Sequence, residues 1–122
     1  MLSDDFNYYG SDQEGGLISF DKWYQENIVH NEFYPTFFFS YKGHLYQFDY
    51  YGNNRKKWMK VFGDKIKKDS YTFSELDKEG KYIGKISCYD SFKDAVDQAR
   101  MFDGKTLREI WDSPDAEMID FE

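Results

Sequence analysis

Two histidines, one cysteine and scattered carboxylates are the residues of this chain whose types could support acid–base, nucleophilic or metal chemistry. A metal centre needs several ligands at recognisable spacing. His30, His44 and the dispersed acids show none. His30 follows an expected helix, where a cation softens the C-terminal dipole. His44 sits beside an expected turn. Structural or surface roles fit both. Cys88 lies in an expected strand, with no histidine at a spacing that points to it, so it reads as a small core residue. Its being alone excludes a disulfide framework and a multi-cysteine cluster. Gly15-Gly16 precedes a helix but lacks a preceding strand and a P-loop lysine, so it makes no phosphate loop. No nucleophile–base pair, cofactor set or metal set can be assembled, and no enzyme activity is expected.

Charge is the feature that remains. The chain has 122 residues, 23 acids and 16 bases, for a net charge of −7. The sum conceals a partition. Residues 1–32 carry −6, residues 33–89 carry +5, and residues 90–122 carry −6. Such asymmetry bears on partners and solubility rather than on architecture.

The densest basic run is 55–68, with seven bases against one acid. Arg55, Lys56, Lys57 and Lys60, interleaved with Trp58, are the candidate contacts for nucleic acid, through phosphate pairing and stacking. The plainer reading is an edge strand whose lysines deter pairing with other edges. In a strand Lys56 and Lys60 would share a face with Trp58 and Phe62, so its basic side would not be clean. The ten acids of residues 90–122 allow a second function. Asp97, Asp103, Asp112, Asp115 and Glu117 are the candidates to engage a partner protein's basic groove, one that ordinarily holds DNA or RNA. The plainer reading there is solubility.

The elements that must position these groups follow from pattern. Residues 1–16 mix acids, Gly and Tyr without periodicity and read as a flexible acidic arm, with a single domain over 17–122. Ser19 caps a helix from Phe20 to Val29. Thr36–Tyr41 and His44–Tyr51 form a hairpin turned by Lys42-Gly43. Facing Tyr41 with His44 puts Phe37, Phe39, Tyr41, Tyr46, Phe48 and Tyr50 on one face. Thr36, Ser40, Gln47 and Asp49 then fall on the other, with Phe38 and Leu45 as exceptions. A third strand is expected over Lys56–Phe62. Residues 66–80 are polar, and the Thr72/Glu75 spacing permits a short capped helical turn. Lys81–Tyr89 is a further strand. Ser91 and Asp94 open a helix running to Phe102. Asp103-Gly104 stops it, and Thr106 and Glu109 box the start of a last short helix. The acidic tail 115–122 has Met118, Ile119 and Phe121 as anchors.

The expected class is therefore α+β in the order αββββαα. An antiparallel sheet of three to four strands carries an N-terminal helix and two C-terminal helices on its aromatic face. No apolar run is long enough to span a membrane, and the first residues lack a signal pattern.

The string Phe102-Asp103-Gly104-Lys105-Thr106-Leu107-Arg108-Glu109-Ile110-Trp111-Asp112, with Tyr41-Lys42-Gly43 ahead of it, resembles small open reading frames of phages and mobile elements in low-GC Gram-positive bacteria. A composition rich in Lys, Asn, Tyr, Phe, Ile and Asp agrees with AT-rich codons. Some small acidic proteins of such loci inhibit host defence, among them anti-CRISPR and anti-restriction proteins. The likeness covers roughly a third of the chain and lies in a helix stop, a capping box and core residues. It implies a genomic setting and carries over no functional residue. Taken with the charge partition, it leads to the expectation of a cofactor-free inhibitor in the cytoplasm of a bacterial host cell. That inhibitor would bind a CRISPR effector or nuclease through its acids.

Overall fold

Alternation of ring and polar side chains makes the hairpin the centre of the structure. The structure, a computed structural model, describes residues 20–30 and 36–121. The expected arm 1–16 and the Ser19 cap lie outside the described residues. Strand β1 (Phe37–Tyr41) pairs antiparallel with β2 (His44–Tyr50). The register is the expected one: Phe37 opposite Phe48, Phe39 opposite Tyr46, Tyr41 opposite His44. Lys42 and Gly43 turn it with φ of 50° and 84°, the paired positive angles of a type I′ turn. Phe37, Phe39 and Phe48 are fully buried.

The chain between β2 and the next strand corrects the expectation. Residues Arg55–Phe62 are not a strand but helix α2, framed by single 3-10 turns at Tyr51–Asn53 and Gly63–Lys65. The helical period resolves the conflict noted for a strand. Trp58 and Phe62, four apart, share one face, and Lys56 and Lys60 turn outward. The short capped turn expected at Thr72/Glu75 is also overturned. Tyr71–Leu76 is strand β3, paired with β2 along its whole length. Tyr, Thr and Phe alternate there and bury Tyr71 and Phe73 on the aromatic face, so cross-strand packing overrides a local cap. Strand β4 (Tyr82–Tyr89) matches the expected one.

Helix α3 (Phe92–Gln98) ends at Ala99, earlier than expected, and Ser91 Oγ accepts the Asp94 N–H. The bridge Arg100–Thr106 closes a tight loop instead. Phe102 therefore leaves the buried stripe and is 51% exposed. Helix α4 (Leu107–Ile110) carries the complete Thr106/Glu109 capping box. The acidic tail is a fifth strand, β5 (Ala116–Phe121), antiparallel to β1. Ala116 is buried and Met118 packs on the core, which seats it.

The fold is α+β, with one five-stranded antiparallel sheet in the order β4-β3-β2-β1-β5. Helix α1 (Phe20–Trp23) runs into a π-helical turn at Tyr24–His30. Trp23 and Ile28 are both buried and five residues apart, the spacing of an i→i+5 turn. With α3 and α4, this segment covers the aromatic face through Phe20, Trp23, Phe92 and Trp111. Helix α2 sits on the opposite face, where Asp49, Thr72 and Ser74 are buried.

Candidate functional site

The expected acidic residues divide into two groups. Asp97 accepts from Arg108 Nε at 3.0 Å and from Lys93 Nζ at 3.1 Å. Burial opposes its charge, but these hydrogen bonds outweigh burial and hold the carboxyl below the usual carboxylate range. Arg108 also pairs with Asp21, which ties α4 to α1. Asp103 accepts the Tyr41 hydroxyl at 2.7 Å and the Lys105 N–H at 3.2 Å, with Lys42 Nζ at 3.8 Å. Burial again acts against the charge, and the Tyr41 and Lys105 bonds again lower the pKa. Both carboxylates are engaged within the fold.

Asp112, Asp115 and Glu117 are exposed. Asp115 and Glu117 make no ion pair among the described residues. Asp115 precedes β5 and Glu117 lies within it, and among the described residues β5 pairs on one side only. A backbone bond from Lys42 N to Asp115 O fixes the start of this segment against the hairpin turn.

The basic candidates gather at the other end of the sheet. Arg55, Lys56, Lys57 and Lys60 are exposed on α2. Trp58 is fully buried, so it cannot stack on a base, and that part of the expectation fails. Its indole N–H donates at 2.7 Å to Asp49 Oδ2. Asp49 is itself fully buried and also accepts Asn54 Nδ2 at 3.0 Å and Thr36 Oγ1 at 2.6 Å. A buried carboxylate with such donors is tolerated where a lone one would not be. This network holds α2 on the sheet. Lys57 lies over Trp58 and Tyr82 and donates to the Tyr82 hydroxyl, which places the basic helix beside β4. Asp49 was legible only as a polar residue on the back of the hairpin.

His44 carries a partner that the pattern did not foresee. Its Nδ1 lies 3.1 Å from Glu75 Oε2, and its ring stacks on Phe102 at 4.0 Å between centroids. The pair lines a groove of about 300 Å³ with Gly43, Leu45, Asp77 and Lys78. A carboxylate-oriented imidazole is half of a general base. No hydroxyl or thiol lines this groove among the described residues. The Phe102 loop also roofs a cavity of about 240 Å³, and the Phe102 N–H donates to the Tyr46 hydroxyl at 2.9 Å. Burial pushes the Tyr46 phenol up to about 12. Cys88 is half-buried, and burial raises its thiol pKa, which disfavours the thiolate. Among the described residues no group of three or more metal-ligating side chains comes together.

No helix of the described residues is long and apolar enough to cross a membrane. Comparison with known protein families, with characterised proteins and with solved structures finds no match.

Proposed function

We propose that the protein is a non-enzymatic binding protein that engages a basic surface on a partner through the acidic segment entering β5. The supporting observation is the exposure of Asp115 and Glu117, without ion pairs among the described residues, at an open sheet edge. Asp97 and Asp103 are left out of this reading because each already holds partners within the fold. Exposed carboxylates carried on and beside a strand steer a cationic partner into place. The partner class that suits them is a nucleic-acid-handling protein of bacterial defence, a CRISPR effector or restriction nuclease, whose basic groove the acids would fill in the host cytoplasm. The test is inhibition of DNA cleavage by a panel of such nucleases at rising salt, with wild type and the D115K/E117K variant. Inhibition that weakens with salt and is lost in the variant supports the reading. Inhibition indifferent to both contradicts it.

A second reading is favoured by one observation. Arg55, Lys56 and Lys60 stand exposed on a single helix without an ion pair among the described residues. They could contact phosphates, without base stacking because Trp58 is buried. A gel shift with single- and double-stranded DNA and RNA at low salt separates the readings. A shift abolished by K56E/K60E selects nucleic acid, and no shift excludes it.

A further inference from the structure

The two open edges of the sheet are chemically complementary. Among the described residues β4 pairs on one side only, and a groove of about 360 Å³ runs along its outer side. Phe62 and Lys65 line one part of this groove, and Lys85 to Asp90 line the rest. Gly84 has a φ of 72°, and the β3–β4 register shifts between Phe73 and Glu75. A bulge at Gly84 thus divides β4, and the residues after it are the ones that line the groove. Lys65 and Lys85 are exposed and make no ion pair among the described residues. The single acid of the groove, Asp90, is taken by Lys67 at 3.1 Å. The seat is thus an unpaired backbone edge flanked by unpaired lysines.

At the far edge, β5 reads Ala116-Glu117-Met118-Ile119-Asp120-Phe121. It is extended, unpaired on its outer side and acidic. Lysines protect β4 from pairing with another β4, and acids protect β5 from another β5, because like charges then face each other. Neither device opposes β4 against β5.

We infer that the groove along β4 receives β5 of a second copy of this chain, joining two sheets edge to edge. Backbone hydrogen bonds supply the contact, and Lys65 and Lys85 meet Glu117 and its neighbours. The seat and the inserting strand lie at opposite ends of one molecule, so the contact is head-to-tail and generates an open series rather than a closed dimer. This inference uses the same β5 edge as the proposed function but requires a second, basic surface that partner binding does not.

The experiment is sedimentation velocity over a wide concentration range at low and high salt. It compares wild type with K65E/K85E, with D115K/E117K, and with an equimolar mixture of the two variants. Wild type is expected to grow in mean mass with concentration, and each variant alone to associate at least about tenfold more weakly. The mixture retains one intact basic seat, on D115K/E117K, and one intact acidic strand, on K65E/K85E. The reversed charges are complementary too, the glutamates of the K65E/K85E seat facing the lysines of the D115K/E117K strand, so the mixture is expected to regain association in alternating copies. Wild type that stays monomeric throughout overturns the inference. So does association that K65E/K85E leaves unchanged, or a mixture that stays monomeric. Loss of partner inhibition in D115K/E117K alone, with K65E/K85E still inhibiting, bears on the proposed function and not on this contact.

Discussion

The two ends of the sheet carry opposite charge by different constructions. At the β4 end the bases ride on α2, a helix moored to the sheet by Trp58 and the buried Asp49 carboxylate. At the β5 end the acids sit on or beside a strand held by backbone pairing to β1 and by Ala116 and Met118. Three strands separate β4 from β5, so the poles stand roughly 19 Å apart at the usual strand spacing. Among the described residues, the basic run of 55–68 and the acids of 112–117 thus stand toward opposite edges of the sheet. The contrast teaches that the basic pole depends on a polar network in the interior, whereas the acidic pole can be altered without touching the core.

The largest expected effect breaks the mooring. Asp49→Ala leaves the Trp58, Asn54 and Thr36 donors without their acceptor and is expected to cost roughly 3–5 kcal/mol in chemical denaturation. Trp58→Phe removes the indole N–H and leaves a void where the larger ring was fully buried, and it should cost about 2–4 kcal/mol. A loss under ~1 kcal/mol in both would mean that α2 is held by something else.

Next is the engaged carboxylate at the acidic end of the chain. Asp97→Asn should cost about 0.5–1 kcal/mol, since its side chain is one-third exposed and solvent screens the pair. The sign with pH follows from its lowered folded-state pKa. The contribution is present above the usual carboxylate range and is lost as pH falls through that range. The acid limb of the wild-type stability curve should therefore be steeper than that of Asp97→Asn, and equal slopes would contradict the assignment.

Tyr46 offers a test on the basic side of the pH scale. Its folded-state value of about 12 against an ordinary 10.0 means stability that is present below pH 10 and declines as pH rises toward 12. In absorbance titration Tyr46→Phe should lack one late-ionising phenol. The smallest effect is at the acidic pole itself. Double substitution D115K/E117K should leave stability within about 0.5 kcal/mol of wild type, because neither side chain is buried or paired. A larger loss would show that the pole is tied to the fold after all.

How much of this was legible before the structure depends on the kind of signal. The hairpin was readable because alternation and the Lys42-Gly43 turn specify the same register. The Thr106/Glu109 box was readable because a cap is local. Helix α2 was misread as a strand, although the clash of Lys56 and Lys60 with Trp58 on one strand face was itself the sign of a helical period. Strand β3 could not be placed, since Thr72 and Glu75 satisfy a local capping pattern that only pairing with β2 overrules. Without β3 there was no way to see Glu75 beside His44. Strand β5 was hidden for the same reason, its partner β1 lying far away in sequence. The acids were recognised as a class, but the engagement of Asp97 and Asp103 depends on Arg108, Tyr41 and Lys42, which only the tertiary fold brings to them.

The most direct test of the bipolar surface is NMR relaxation of backbone amides in the presence of cationic and, separately, anionic nitroxide probes at low salt. The ratio of the two enhancements at each amide reports the local potential. Cationic enhancement should be concentrated at residues 112–118 and anionic enhancement at 55–60 and 85. A ratio that is uniform along the chain, or acids and bases reporting the same potential, would contradict the account.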